Sequence, residues 1–303
     1  MKKLKLTKKG QWLEINVPGD WENQSIEEIL KSAYQTPKAL LHQLRMSKGV
    51  HLNGEQVQWS TKLSKKDKLQ IQLFIAEDYG VEPQFIEIDI LYEDDHVLIV
   101  NKPAGMDTHP TKEGELDTLA NAVAFHLQMN GIHTKIRHIH RLDHDTTGAV
   151  IFAKDRLSAA IMDRLLLNRE ITRTYLAIVH GIVKQKSGKI DAPIGRDRHH
   201  PTRRRVSPSG QSAISQYQVL TTDRNQDTSL VELQLQTGRT HQIRVHMSHL
   251  GHPLVGDVLY GGKPLFNRQA LHARKISLNH PLTNEKIECT APFLDLPPIF
   301  NLK

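Results

Sequence analysis

The feature that most constrains the fold is a charged segment that runs directly into an apolar one. Residues 138–148 contain three histidines, one arginine and two aspartates, and residues 149–153 are entirely apolar. A short apolar run with Val, Ile and Phe is typical of a strand buried on both faces. A rigid strand can hold a reactive side chain at its end. We therefore expect residues 138–148 to belong to a functional site.

Length and periodicity predict two domains of unequal size. The chain has 303 residues, which is long for one ordinary domain. Helical spacing over 157–167 and a strand-like pattern over 230–235 show that both element types interleave. We predict an α+β fold with a mixed, mainly antiparallel sheet. Residues 1–74 would form a small αβ module, 75–84 an acidic linker with Gly and Pro, and 85–303 the larger domain.

Two helices are predicted in the small module. Ser25 and Glu28 have the spacing of a capping box ahead of a short amphipathic run. Thr36-Pro37 predicts the start of a second helix, with Pro37 as its first residue.

Positive charge is concentrated in two parts of the chain. Residues 1–74 hold thirteen Lys or Arg against seven Asp or Glu, and residues 183–205 hold eight against two, within a net charge of +7. The first stretch is equally consistent with a solvated lysine-rich surface. The second favours contact with a polyanion, because guanidinium groups match phosphate geometry. The arginines expected to make that contact are Arg196, Arg198, Arg203, Arg204 and Arg205.

Composition argues against several classes of protein. No apolar run approaches the length of a membrane span, so we expect no membrane contact. The first five residues are basic, but no apolar stretch follows them as in a secretory signal. Cys289 is the only cysteine, which leaves no internal disulfide and no Cys-rich metal cluster. A cytoplasmic location is the simplest expectation.

Three kinds of chemistry fit the charged segment. Histidines two positions apart, followed by an Asp-His pair, resemble the ligands of a metal-dependent hydrolase, although Arg141 would place a cation among them. The run from His140 to Asp143 is close to a protein kinase catalytic loop, but no glycine-rich loop or Asp-Phe-Gly accompanies it. In the third interpretation, Asp143 is a nucleophile or base that a nearby cation keeps ionised.

A second segment offers such a cation. Residues 231–235 alternate as in a strand, Gly238 supplies a turn, and Ile243 and Met247 then repeat at helical spacing. Arg239 therefore falls at a strand-to-helix junction, where side chains point into clefts. An ordinary surface ion pair is the alternative for Arg239.

Four segments together resemble the RluA/RluD-type family of RNA pseudouridine synthases. Residues 101–105, 140–148, 173–181 and 237–257 occur in the order and approximate spacing of that family. Each segment is short, but the resemblance is specific because all four have the order and approximate spacing found in the family. It covers roughly residues 85–295.

The N-terminal residues extend this resemblance. Two short helices with a small hairpin, rich in lysine, resemble the alpha-L RNA-binding module of a small-subunit ribosomal protein and of many RNA-modifying enzymes. A Gly-Asp pair usually precedes the final strand of that module, whereas Lys66-Asp67 stands here. The resemblance implies that residues 1–74 bind RNA and that residues 85–303 form the catalytic domain.

The resemblance also implies roles for individual residues. Asp143 matches the family's essential aspartate, and Arg141 matches the arginine that enters the space vacated by the flipped base. Tyr175 matches the pocket tyrosine that stacks on the uracil and is a proposed proton acceptor. Arg239 matches the basic residue that pairs with the aspartate, with Arg244 as the alternative. The other side chains expected to contact the substrate RNA are His140 and Arg244.

The implied reaction isomerises uridine to pseudouridine in RNA without a cofactor or a metal ion. Large-subunit ribosomal RNA is the expected substrate, and transfer RNA is the alternative. A non-catalytic RNA-binding or ribosome-assembly factor of the same fold, or a metal-dependent hydrolase, would be the alternative functions. No obligate protein partner is indicated, so we expect a monomer.

Overall fold

The computed structural model describes residues 4–300 of the chain. Within them, the strands form a five-stranded sheet, a ten-stranded sheet and one separate hairpin. The first three residues of the predicted module and the last three of the larger domain lie outside this range, as does most of the basic N-terminus. No helix between residues 4 and 300 is long and apolar enough to cross a membrane.

The small module is built on the five-stranded sheet. Its strands are β1 (Leu6–Lys9), β2 (Trp12–Asn16), β3 (Val50–Leu52), β4 (Glu55–Gln56) and β5 (Lys68–Gln72). They pair in the order β1-β2-β5-β3-β4, always antiparallel. Helix α1 (Ile26–Glu28), its π-helical continuation Ile29–Ala33 and helix α2 (Lys38–Met46) share one apolar core with this sheet.

Local predictions in the module have different outcomes. The capping box is confirmed, because the Glu28 N–H donates to Ser25 Oγ at 3.2 Å and the Ser25 N–H donates to the Glu28 carboxylate at 2.6 Å. Pro37 is not the first helical residue; its extended backbone, with ψ at 144°, places it just before Lys38. Lys66 adopts φ of +77°, so a lysine takes the left-handed conformation that suits glycine at this turn.

The ten-stranded sheet forms the larger domain. Its strands are β6 (Asp89–Glu93), β7 (Val97–Lys102), β8 (Arg137–His138), β9 (Thr147–Ala153), β10 (Thr172–His180), β11 (Ser187–Asp191), β14 (Ile214–Asp223), β15 (Thr228–Leu235), β16 (Leu271–Asn279) and β17 (Lys286–Thr290), while β12 (Ile194–Arg196) and β13 (Arg204–Val206) form the separate hairpin. Its helices are α3 (Leu119–Met129), α4 (Arg156–Leu167) and α5 (Gln242–His249).

The order of these strands confirms a mixed, mainly antiparallel sheet. The order is β11-β14-β15-β10-β16-β9-β7-β6, with β17 added beside β16 and β8 beside β9. Among the strand pairs of residues 4–300, β16 with β9 is parallel and the others are antiparallel. The predicted α+β class is therefore correct.

The small module is attached to the larger domain by apolar and ionic contacts. Leu157 and Ile161 of α4 belong to the apolar core of the module. Residues 75–84 contain no helix or strand, and Glu77 within them forms ion pairs with Arg137, at 2.6 Å, and with Arg156. The connecting segment therefore lies against the larger domain and is held by two arginines.

Strand β9 is the buried strand predicted from the apolar run. All seven of its residues are buried. Val150 and Phe152 belong to one apolar core, and Ala149, Ile151 and Ala153 belong to another. Since both faces of the strand are covered, the charged segment enters the sheet at a rigid point.

Gly148 is required where β9 approaches β16. It has φ of +113°, and a Cβ added there would lie 2.3 Å from the carbonyl oxygen of Ala273, its partner in the parallel pairing. We expect Gly148→Ala to lower the free energy of unfolding by on the order of 1–3 kcal/mol in urea titrations. Gly105→Ala is the control, because Gly105 has φ of +73° but open space around its Cβ position. Equal losses in the two variants would contradict the steric explanation.

Candidate active site

The charged segment and the segment leading into α5 line one cavity of about 360 Å³. Residues 139–143 contribute from the first segment and residues 235–244 from the second, together with side chains from β10 and the end of α4. The predicted site residues of these segments all line it: His140, Arg141, Asp143, Tyr175, Arg239 and Arg244. Folding thus brings together groups that are far apart in the chain.

Asp143 pairs with Arg244. Arg244 Nη1 donates to Asp143 Oδ2 at 3.3 Å. The same guanidinium donates to both oxygens of Asp257, from Nε at 2.7 Å and from Nη2 at 2.9 Å. The side chain of Asp257 is 1% exposed, and that of Arg244 is 9% exposed. A buried carboxylate therefore fixes the guanidinium, which presents its remaining nitrogen to Asp143.

The charge of Arg244 is secured by its surroundings. Burial would lower its pKa, but the hydrogen bonds and charge of Asp257, reinforced by Asp143, raise the pKa above its ordinary value. Arg244 Cζ also lies 5.0 Å from the ring centroid of Tyr260, within range of a cation–π contact. Asp143 consequently faces a guanidinium that keeps its positive charge.

The prediction that Arg239 pairs with Asp143 is wrong. Arg239 is exposed, and its Nε donates to the carbonyl oxygen of Ser212 at 3.1 Å. His241, with φ of +58°, turns the chain between Arg239 and α5. Arg244 lies beyond this turn, in the buried part of α5, and makes the contact with Asp143. Arg244 was the alternative to Arg239 for this pairing.

Tyr175 supplies an uncharged aromatic wall beside Asp143. It lies on β10, is 3% exposed and shares an apolar core with Leu142 and Ile243. Burial raises the pKa of its phenol; the charge of Arg173 opposes this shift, and that of Asp143 adds to it. The ring is therefore neutral and largely shielded from water.

His140 is buried in the wall of the cavity. It is 6% exposed, and its Nε2 accepts a hydrogen bond from the Ile151 N–H at 3.3 Å. Burial, followed by the charge of Arg173, lowers its pKa well below the ordinary value, so the imidazole is neutral. The hydrogen bond connects the charged segment to β9, so His140 has a supporting role, and its expected contact with RNA stays a prediction. Arg141, by contrast, is exposed at the cavity.

Lys102 is a supporting residue to which no role had been assigned. Its fully buried Nζ donates to the carbonyl oxygens of Pro103, Met106 and His144 at 2.8, 2.6 and 2.8 Å. Burial lowers its pKa to about 8, against the opposing charge of Asp107. The sequence feature that could have indicated this role is the position of Lys102 at the end of the apolar strand β7.

Thr108 holds the backbone of Leu142, the residue that precedes Asp143. Its Oγ1 accepts from the Leu142 N–H and donates to the Leu142 carbonyl, both at 3.0 Å. Because Lys102 holds the carbonyl of His144, the backbone is anchored on both sides of Asp143. A side chain held in this way loses little freedom when substrate binds.

The predicted arginine cluster lies on and between β12 and β13. Four of its arginines are exposed: Arg196, Arg198, Arg203 and Arg205. Arg203 forms an ion pair with Asp197 at 2.7 Å. The backbone N–H of Arg204 donates to the Tyr260 hydroxyl at 2.9 Å. Tyr260 also packs on Arg244. It therefore connects the arginine hairpin, which is β12 and β13 with the loop between them, to the pair of Asp143 and Arg244.

The side chains do not fit a metal site. Within residues 4–300, no group of three or more His, Cys, Asp or Glu side chains could hold a metal ion. His144 instead contacts the neighbouring Asp145, with Nδ1 and Oδ1 2.8 Å apart, and both side chains are about half exposed. The histidines of the charged segment therefore do not converge as ligands.

Comparison with known families gives the class of protein to which this fold and cavity belong. The family described as RNA pseudouridylate synthase matches residues 96–249, and the RluD ribosomal pseudouridine synthase N-terminal domain matches residues 13–69. The molecule is therefore an enzyme that isomerises a nucleotide within RNA. The chain belongs to the RNA pseudouridine synthase family.

Individual relatives agree with this assignment. The chain is 48% identical to an uncharacterized RNA pseudouridine synthase of Bacillus subtilis, YhcT, over 95% of this chain and 96% of that protein. It is 41% identical to the ribosomal large subunit pseudouridine synthase D of Haemophilus ducreyi, over 75% of this chain and 73% of that protein. The solved structure of human RNA pseudouridylate synthase domain containing 1 has a TM-score of 0.56 at 28% identity, covering 70% of this chain and 86% of that one.

Proposed function

We propose that the protein converts specific uridines of large-subunit ribosomal RNA to pseudouridine, with Asp143 as the catalytic carboxylate. The observation that carries this proposal is the position of Asp143, 20% exposed in the cavity and 3.3 Å from the fixed guanidinium of Arg244. A carboxylate held in this way lies beside a fixed positive charge and is accessible to a substrate. The reaction requires no cofactor.

The proposed reaction breaks the bond between ribose C1′ and uracil N1 and forms one between C1′ and C5. The electron pair of the broken bond leaves with the uracil, while Asp143 either bonds to C1′ or removes the C2′ proton. After the uracil rotates, C5 bonds to C1′, and Asp143 departs or returns its proton. C5 then loses a proton and N1 gains one, so product and substrate have the same atoms.

The other residues of the cavity position the nucleotide in this proposal. The neutral ring of Tyr175 packs against the uracil and keeps the detached base in place. Arg141, exposed at the cavity, takes the place of the extruded uridine in the RNA. Residues 1–74 and the arginine hairpin bind the RNA backbone, and the enzyme acts as a monomer in the cytoplasm.

The proposed substrate is supported by the relatives named ribosomal large subunit pseudouridine synthase D and by the match of the N-terminal domain. It is tested by mapping pseudouridines in ribosomal and transfer RNA from a strain that lacks the gene. We expect at least one large-subunit position to lose its modification and to regain it when the wild-type gene is restored. Loss confined to transfer RNA would overturn the substrate class.

The arginine hairpin is expected to contribute salt-dependent affinity for RNA. Replacing Arg196, Arg198 and Arg205 together by Gln should reduce the slope of log Kd against log salt concentration by about 2 to 3, because each phosphate contact contributes roughly 0.7–0.9. Equilibrium binding over a salt series measures this slope. Arg203→Gln is the matched control, since Asp197 already neutralises Arg203. A slope change in the control as large as one third of that in the triple variant would contradict the assignment.

A further inference from the structure

One side chain of the cavity wall is an exposed leucine. Leu167, the last residue of α4, is 82% exposed and lines the same cavity as Asp143 and Tyr175. The other large apolar side chains of residues 4–300 that are more than 60% exposed do not line it: Met46, Phe85, Met129, Val258, Leu265 and Leu296. A lone exposed leucine needs no explanation elsewhere, but this one belongs to the wall of the active site.

The backbone around Leu167 holds it in a fixed position. The Glu170 N–H donates to the Leu165 carbonyl at 2.8 Å, which closes the end of α4. Arg169 adopts φ of +65° and turns the chain towards β10. Arg169 Nη1 also donates to Gln236 Oε1 at 3.1 Å, which connects this turn to the segment before α5. Leu167 is thus presented by a rigid helix end and not by a loose loop.

Positively charged side chains line the same cavity as the leucine. Arg141, Arg169 and Arg239 are exposed and line the same cavity, so the RNA backbone is attracted to this rim. Before Asp143 can reach the ribose, the target uridine must leave its stack. Apolar side chains such as Leu can insert between neighbouring bases and open a stack.

We propose that Leu167 is a wedge that inserts beside the target uridine and covers the neighbouring base once the uridine has entered the cavity. Leu167 is a positioning residue, because it acts on the stack and not on the reacting atoms. The proposal rests on the enzyme acting on a uridine in RNA, and it does not depend on which RNA carries that uridine.

The test compares two RNAs that carry the uridine located by the mapping described above. The first has its natural sequence, and in the second the two nucleotides that flank the uridine lack their bases, so that there is little stack to open. We expect Leu167→Ala, in the full chain, to lower kcat/KM by about tenfold or more on the first RNA and by less than about threefold on the second. Leu167→Met should retain most activity on both RNAs because it restores an apolar side chain of similar size.

A fluorescent base gives a readout that is independent of turnover. With 2-aminopurine next to the uridine, binding of the wild-type protein should increase fluorescence, and Leu167→Ala should reduce the increase. Met129→Ala is the matched control, since Met129 is 70% exposed at the end of α3 and outside the cavity. Equal losses on the two RNAs, or no loss on either, would overturn the wedge. Modification of transfer RNA alone would overturn the proposed ribosomal substrate and leave this comparison intact.

Discussion

Replacing Asp143 by Asn is expected to reduce pseudouridine formation by about 10³-fold or more while RNA binding persists. Asn has nearly the same size and can still accept the hydrogen bond that Arg244 Nη1 donates to Oδ2 at 3.3 Å. It carries no negative charge, so it can neither attack the ribose nor remove its proton. Single-turnover conversion of RNA, with chemical detection of pseudouridine, measures the loss, and equilibrium binding of the same RNA measures affinity.

Asp145 offers a matched control within the same segment. Its side chain is 47% exposed, and its Oδ1 lies 2.8 Å from His144 Nδ1. We expect Asp145→Asn to retain activity within about threefold of the wild type, because Asp145 is about half exposed and does not line the cavity. Wild-type turnover in Asp143→Asn, or an equal loss in both variants, would refute the assignment of Asp143 as the catalytic carboxylate.

Replacing Arg244 by Met is expected to cost both stability and activity. The buried carboxylate of Asp257 would lose the two hydrogen bonds that Arg244 donates, at 2.7 and 2.9 Å. Removing one partner of a buried pair typically costs about 3–5 kcal/mol, because the other charge stays buried without compensation. Asp143 would also lose the cation that faces it. Urea titration measures the loss of unfolding free energy, and single-turnover kinetics measures the loss of activity.

A double variant separates these two effects. In Arg244→Met with Asp257→Asn, the uncompensated charge is removed, so we expect a substantial part of the lost stability to return. Activity should remain low, because Asp143 still faces no guanidinium. If the double variant were no more stable than Arg244→Met alone, the buried pair would not be the source of the destabilisation. If its activity returned, Arg244 would not be needed by Asp143.

Arg239 and Arg244 differ in burial and in their partners. Arg239 is exposed and makes one side-chain hydrogen bond, to the Ser212 carbonyl oxygen at 3.1 Å. Arg239→Gln therefore serves as the surface control for Arg244→Met, with stability expected within about 1 kcal/mol of the wild type. The local sequence did not indicate which of the two arginines pairs with Asp143, because both lie near a predicted strand-to-helix junction. The left-handed backbone of His241 lies between Arg239 and Arg244, and no short sequence pattern predicted that conformation.

Burial was the property that local patterns predicted least well. The strand β9 was predictable because five consecutive apolar residues leave few other choices. His140 and Lys102 were not, because a histidine next to an arginine and a lysine at the end of a strand both suggest a surface. Both are buried, and their partners, the Ile151 N–H and the His144 carbonyl, lie on segments that only the folded chain brings close.

The sequence by itself determined that a charged segment leads into a buried strand, that the fold is mixed and mainly antiparallel, and that Asp143 is the candidate carboxylate. These features depend on periodicity over a few residues, or on short segments in a fixed order. Only the tertiary structure decided that Arg244 faces Asp143, across 101 positions of the chain, and that Leu167 stands exposed at the same cavity. Local sequence sets the backbone over a turn or a strand, whereas the partner of a charge depends on which distant segments pack together.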